Sequence, residues 1–127
     1  LSCMIIEPEA MCKQVRGGLE ALYIGEAGKS CPTEILDAIA SINAEGRPIW
    51  KPMHMQPIYR MNAFVTREGN GRAKTNAYIS GGSLGKDGKP LDVGMDIFHR
   101  GLCLPSDNKM TAEQQNRIIE VIKECFA

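Results

Sequence analysis

The sequence predicts a small α/β (α+β) domain with two layers: a short, mainly antiparallel sheet and the helices that pack on it. Short apolar runs that end at prolines are typical of strands, and two longer segments repeat apolar residues at helical spacing. Because these strands and helices interleave, the helices can cover one face of a sheet. The chain has 127 residues, enough for one hydrophobic core, so we expect a single domain over 1–127.

The first half of the chain predicts a strand and two helices. Residues 1–6 form an apolar run that ends at Glu7-Pro-Glu, which indicates a buried strand. A natural chain rarely begins inside a core strand without methionine, so we expect a fragment cut near a domain boundary. Residues 11–22 are a possible helix that Gly17-Gly18 weakens, and residues 25–30 are a predicted loop.

The next helix is predicted to begin near Pro32, since proline fits the first helical position. Gly46 suits the left-handed residue that ends such a helix. The apolar residues at helical spacing are Ile35, Leu36, Ile39 and Ile42.

Residues 61–91 are predicted to be a flexible insertion, with possible hairpin arms at 63–66 and 77–80 around a turn at 68–71. The glycine-rich stretch 80–85 matches neither a Walker loop nor a dinucleotide fingerprint. Residues 60–89 hold six basic side chains against two acidic ones. They could contact a diphosphate or simply form a solvated face.

The C-terminal part predicts a helix, a strand and a second helix. Asp92 can cap a short helix over 93–100 that Gly101 stops, and 102–104 are a strand closed by Pro105. Residues 111–114 form a capping box that opens the last helix. The residues expected on or near the buried face of that helix are Ile118, Ile119, Val121, Ile122, Cys125 and Phe126.

Composition excludes several classes of protein. The 15 basic and 15 acidic residues balance, so no overall charge would recruit nucleic acid or a membrane, and no signal-peptide or membrane-span pattern is present. Five cysteines without C-x-x-C spacing indicate reduced thiols in a cytoplasmic protein, most simply as small buried hydrophobic residues. A zinc site from cysteines with His54 or His99 has no support from spacing.

Residues 47–57, Arg-Pro-Ile-Trp-Lys-Pro-Met-His-Met-Gln-Pro, are the most informative stretch. Pro48, Pro52 and Pro57 each fix φ and remove a backbone donor, so an extended and stiff connector is predicted. Its large side chains suit the wall of a ligand cleft, and His54 could donate to a sugar hydroxyl or a phosphate. The alternative is a packed edge strand with Trp50 and the methionines as core filler. We rank His99 below His54, since a histidine near a helix end often only satisfies terminal carbonyls.

Two ordered motifs carry a resemblance to a known family. Residues 47–57, after a helix that ends at 43–46, and Phe98-His-Arg-Gly-Leu-Cys-Leu-Pro-Ser-Asp107 followed by Met110-Thr111, resemble the small C-terminal domain of the DegT/StrS-type sugar aminotransferases. The resemblance covers 1–6, 32–60 and 92–126, and it fails over about 13–30 and 61–91, which look like insertions. It is strongest for the branch that acts on UDP-linked 4-keto sugars.

The resemblance implies a pyridoxal phosphate (PLP) enzyme of polysaccharide biosynthesis, with glutamate as amino donor and a homodimer when full length. It implies no catalytic residue in this chain, because the cofactor lysine belongs to a large domain that is missing here; Lys51 is therefore rejected for that role. The implied substrate-binding residues are Arg47, Trp50, Lys51, Met53 and His54, supported by Leu104, Pro105 and Ser106. The alternative is an independent small-ligand or protein-interaction module whose 50–56 ribbon docks a partner.

Overall fold

The computed structural model describes residues 1–17, 20–24, 29–59 and 84–127, and only the backbone of residues 13–17 and 20–24. The chain divides into two units. The first comprises Leu1–Ile49 with Arg100–Ala127, and the second comprises Trp50–His99. Within the described ranges, every helix is too short or too polar to cross a membrane.

A three-stranded antiparallel sheet forms the centre of the first unit. Strand β5 (Gly101–Leu104) lies between β1 (Ser2–Ile5) and β4 (Arg47–Pro48). Leu102 is therefore opposite Met4 on one side and Pro48 on the other. Pro48 is tolerated because β4 is an edge strand, where a missing backbone donor breaks no inner ladder.

Helix α1 (Pro32–Ser41) covers this sheet and supplies its core. Pro32 occupies the first turn, as predicted, because its missing N–H has no partner to lose there. Ile35 is fully buried and packs with Ile6 and Leu102, and half-buried apolar residues surround these three. The predicted α+β class, with a short antiparallel sheet and packing helices, is confirmed.

The predicted role of Gly46 is wrong, and the structure gives it another. The residue with a left-handed backbone after α1 is Asn43, at φ 62°. A Cβ on Gly46 would lie 2.6 Å from Leu36 Cδ2 and 2.9 Å from the Cys103 carbonyl oxygen. Glycine is needed at this position because α1 and β5 approach the backbone too closely for a side chain.

The predicted helix over 11–22 is also wrong. Residues Lys13–Gly17 form β2 and Glu20–Ile24 form β3, paired antiparallel with Lys13 opposite Ile24 and Gly17 opposite Glu20. Two adjacent glycines would each cost a helix about 1 kcal/mol, whereas glycine is favoured where a hairpin reverses. Gly17 therefore ends a strand and is not a weak point in a helix.

The strand predicted at 1–6 is confirmed, but its burial is not. Leu1 is 81% exposed and Ile5 is 45% exposed, and only Ile6 is buried. The physical reason is that β1 is an edge strand of the sheet. Arg100 and Ile6 extend its pairing, since the Ile6 N–H donates to the Arg100 carbonyl and Arg100 Nη1 donates to the Ile6 carbonyl at 2.6 Å.

In the second unit, the extended connector predicted after Arg47 is only partly confirmed. Two 3₁₀ turns, Met53–Met55 and Pro57–Tyr59, replace extended backbone. Proline is compatible with these turns, because Pro52 precedes one and Pro57 begins the other, where no donor is required. Helix α2 (Val93–Arg100) has the predicted bounds.

Most of the predicted insertion at 61–91 lies outside the described residues, including both hairpin arms at 63–66 and 77–80. Residues 25–28 of the predicted loop at 25–30 also lie outside them. Residues 84–91 are described. There Leu84 bridges Pro90, and the Gly85 N–H donates to the Lys89 carbonyl at 2.8 Å. Gly88 has φ 75°, a conformation that favours glycine in this turn.

The last helix, α3 (Ala112–Glu124), begins with the predicted capping box. Gln114 N–H donates to Thr111 Oγ1 at 3.2 Å, and Thr111 N–H donates to Gln114 Oε1 at 2.9 Å. The expected buried face is only half-buried, however, and Ile119 is 40% exposed. Helix α3 therefore leaves apolar surface uncovered in this chain.

Candidate functional site

The 50–56 ribbon, defined here as Trp50–Gln56, folds around a single turn. The Met55 N–H donates to the Pro52 carbonyl and the Gln56 N–H to the Met53 carbonyl, both at 3.0 Å. Gln56 Nε2 also donates to the Lys51 carbonyl at 3.3 Å. With Pro52 fixing φ at the start of the turn, the ribbon has few alternative conformations.

A histidine–carboxylate pair holds this ribbon to the start of helix α2. His54 Nε2 and Asp92 Oδ2 are 2.6 Å apart, with side chains only 17% and 5% exposed. The other oxygen, Asp92 Oδ1, accepts from the Met95 N–H at 2.9 Å and so caps α2. One buried carboxylate thus fixes both the imidazole and the helix N-terminus.

Gly94 allows the ribbon to approach α2 this closely. A Cβ at position 94 would lie 3.2 Å from Pro52 Cγ and 3.4 Å from His54 Cε1. The first of these distances is shorter than ordinary van der Waals contact, so a side chain there would push the ribbon outward. The geometry around His54 is therefore determined by Pro52, Asp92 and Gly94 together.

The large side chains of the ribbon have different environments. Met55 is buried at 2% exposure and fills the interior of its unit, whereas Trp50 is 69% exposed and Met53 is 62% exposed. Lys51 is half-buried. The core-filler alternative therefore holds for Met55 but not for Trp50 or Met53. An exposed indole and thioether on a stiff support are typical of a binding surface.

The pair determines what His54 can do chemically. A carboxylate bonded to one ring nitrogen orients the imidazole and restricts its rotation. A ring held in this way keeps its imidazole at a fixed position in the 50–56 ribbon. Sequence reasoning assigned Asp92 only as a helix cap and missed this second role; nothing in the sequence links residues 38 positions apart.

Arg47, the remaining predicted substrate residue, lies in the first unit. It opens β4 and forms a surface ion pair with Glu45, with side chains 73% and 74% exposed. Such pairs contribute little to stability, so the guanidinium can exchange this partner for another anion at small cost. Of the predicted supporting residues, Leu104 is half-buried against the core, Pro105 is half-buried, and Ser106 is exposed.

A surface cavity of about 540 Å³ also lies in the first unit, between the end of α1 and the side of α3. Its charged lining is mixed, with Arg117 and Lys109 beside Glu45 and Asp107. Pro105 contributes to this lining, so one of the predicted supporting residues borders a cavity. The other lining residues are Ile42, Asn43, Ala44, Met110, Gln114 and Ile118.

The described residues do not fit a PLP site. The cofactor attaches to a lysine whose amine is desolvated in an enclosed site, and no lysine side chain in the described part of the chain is buried. Lys51 is half-buried, and the other lysines whose side chains are described are exposed: Lys29, Lys86, Lys89, Lys109 and Lys123.

Loss of the shared carboxylate is expected to destabilise the second unit. Asp92→Ala removes the cap of α2 and the partner of His54, and we expect the free energy of unfolding to fall by about 2–3 kcal/mol. Urea unfolding followed by the fluorescence of Trp50 measures this, because Trp50 is the sole tryptophan and belongs to the same unit. Asp92→Asn can still cap the helix, so its free energy of unfolding should fall by less. The control is Asp37→Ala, because Asp37 is exposed. Equal stability of Asp92→Ala and the control would contradict the pairing.

Comparison with known proteins gives one informative result. Over 95 residues the chain is 35% identical to a protein of Bacillus subtilis (strain 168) described as "Putative pyridoxal phosphate-dependent aminotransferase EpsN". The similar region is 75% of this chain, and it spans 19% of the length of the relative. No family model matches the chain. The similarity supports a link to the PLP-dependent aminotransferases in general.

Proposed function

We propose that this chain is the small C-terminal domain of a cytoplasmic, DegT/StrS-type PLP-dependent aminotransferase that aminates a UDP-linked 4-keto sugar. The observation that carries the proposal is the 50–56 ribbon, fixed by the 2.6 Å His54–Asp92 pair with Trp50 and Met53 exposed. The similarity to an aminotransferase supports the reaction class. Because the chain spans 19% of that relative, the activity is proposed for a longer protein.

In this proposal the chain provides a wall of the substrate pocket and no covalent chemistry. PLP supplies the amino-transfer chemistry when bound, and residues outside this chain hold it. Trp50 and Met53 offer apolar surface to a sugar ring or a base, since aromatic faces stack on such groups. His54 offers a polar contact at a position that Asp92 fixes. Arg47 and Lys51 are the cations proposed to meet the diphosphate.

Preorganisation is the physical advantage of this arrangement. A side chain that is already fixed loses little conformational entropy when the substrate binds. The prolines and the His54–Asp92 pair fix the ribbon before any ligand arrives, so its contacts contribute more fully to binding. Glutamate is the proposed amino donor, and the full-length enzyme is proposed to be a homodimer.

The direct test is an amination assay of the longer protein with UDP-linked 4-keto sugars and glutamate. Formation of the UDP-amino sugar supports the proposal. The alternative function, an independent small-ligand or protein-interaction module, uses the same exposed Trp50 and Met53 to dock its partner. If no cofactor domain precedes Leu1 in the gene, or if the longer protein does not aminate these sugars, the module becomes the better interpretation.

Removing the imidazole is expected to impair substrate use. In the longer enzyme, His54→Ala should lower kcat/KM for the nucleotide sugar by about 10- to 100-fold, the equivalent of one lost hydrogen bond to a charged group. Cofactor absorbance should remain unchanged. Trp50→Ala is the companion variant: its side chain is 69% exposed, so a fall in kcat/KM there cannot come from lost packing.

His99→Ala replaces the other histidine and should leave kcat/KM close to that of the unmodified enzyme. If His54→Ala lowers only the melting temperature, and Trp50→Ala has no effect on kcat/KM, the ribbon serves folding and does not contact the substrate.

A further inference from the structure

Three metal-ligating side chains meet where segment 13–30, which contains β2 and β3, joins the rest of the first unit. The ligand atoms of Cys12, Cys31 and Glu34 all lie within 4.8 Å of one another. Both cysteines are buried, at 4% and 0% exposure, whereas Glu34 is exposed. The cluster therefore has an apolar inner side and an open outer side through which an ion can enter.

The backbone holds these ligands in place. The Cys12 N–H donates to the Ser30 carbonyl at 2.7 Å, and the Lys29 N–H donates to the Ala10 carbonyl at 3.0 Å. These two hydrogen bonds join the ends of segment 13–30. Cys31 is the N-cap residue of α1 and Glu34 lies in its first turn. Cys31 and Glu34 thus lie at the N-terminus of α1. Cys12 is held beside them by its backbone hydrogen bond to Ser30.

We propose that Cys12, Cys31 and Glu34 bind a zinc ion that links the two ends of segment 13–30. Two thiolates and a carboxylate are ligands that zinc prefers, with a water molecule in the fourth tetrahedral position. Two sulfur ligands around such an ion are about 3.8 Å apart. The observed cluster needs only small side-chain movements to reach that geometry.

The other thiols are less suited to the role. Cys125 Sγ donates to the Val121 carbonyl at 3.3 Å within its own helix. Cys3 and Cys103 have sulfurs 3.7 Å apart across two strands, but no third ligand joins them among the described residues.

For Cys12, burial and then the neighbouring Cys31 raise the pKa to about 11. Metal binding must therefore displace a proton from this thiol.

The test is a titration of the full 127-residue chain with Co²⁺, kept reduced by a phosphine and free of oxygen. We expect one Co²⁺ per chain, with a sulfur-to-cobalt charge-transfer band and the visible bands of a tetrahedral site. Added Zn²⁺ should bleach both, since it binds such sites more tightly. A reduced and folded chain that shows no charge-transfer band would overturn the proposal.

Variants identify the ligands. Cys12→Ser and Cys31→Ser should each lose the two-thiolate spectrum, and Glu34→Gln should weaken Co²⁺ binding about tenfold or more. Cys3→Ser is the matched control and should bind like the unmodified chain. If the buried Cys31→Ser fails to fold, Glu34→Gln decides the question, because Glu34 is exposed. A band that persists in Cys12→Ser, or unchanged affinity in Glu34→Gln, contradicts the site.

Discussion

Leu102→Ala is expected to remove a large fraction of the stability of the first unit. Leu102 is fully buried in β5, the central strand, and packs with Ile6 and Ile35. Truncation removes its transfer free energy and leaves a cavity, which costs about 2–5 kcal/mol. A small domain has a total stability of only about 5–15 kcal/mol, and few side chains among the described residues are fully buried.

Thermal unfolding followed by far-ultraviolet circular dichroism measures this loss on the 127-residue chain. Leu1→Ala is the matched control, because it removes the same atoms from a side chain that is 81% exposed. The control should change the free energy of unfolding by less than about 0.5 kcal/mol. If both variants unfold at the same temperature, burial of Leu102 does not stabilise the first unit, and the packing described for β5 is wrong.

The elements that the sequence predicts well are those with strong local signals. The capping box at Thr111 and Gln114, the proline that opens α1 and the aspartate that precedes α2 all act within one helical turn. The hydrogen bonds of the two caps each join residues three apart. Local chemistry of this kind needs no knowledge of the rest of the fold.

The errors concern interactions with distant parts of the chain. Gly46 has glycine's usual position after a helix, but what requires it is the carbonyl of Cys103, on a strand 57 positions later. Asn43 takes the left-handed conformation instead. Likewise, the apolar run at 1–6 does not reveal whether its strand is central or at an edge. The pattern of apolar residues indicates which side chains of a strand are buried, but not which strands pair with it.

The candidate site shows the same division. Proline spacing indicated that the 50–56 ribbon is stiff, and the chemistry of His54 indicated a polar contact. The partner Asp92 could not be predicted, because the 2.6 Å contact depends on how the ribbon packs on α2. The Cys12–Cys31–Glu34 cluster was missed for a similar reason. Two cysteines 19 positions apart match no compact metal motif, and they meet only because hydrogen bonds join the ends of segment 13–30.

The largest functional difference is expected between this chain and the longer enzyme proposed to contain it. The isolated 127-residue chain should form no stoichiometric covalent adduct with PLP and should not transaminate. Activation of a lysine amine as the nucleophile requires burial or a neighbouring cation, and none of the lysines whose side chains are described is buried.

Absorbance titration with PLP, followed by borohydride reduction and mass analysis of peptides, measures the adduct directly. The longer protein should give one reducible adduct per chain at a lysine outside these 127 residues, and it should aminate the UDP-keto sugar. Lys51→Arg is the control for the chain itself, because it keeps the charge and removes the primary amine. A stoichiometric adduct that forms on the isolated chain and disappears in Lys51→Arg would contradict the proposed division of roles. Lys51 would then be the cofactor lysine, and the 50–56 ribbon would be part of the catalytic centre and not a wall beside it.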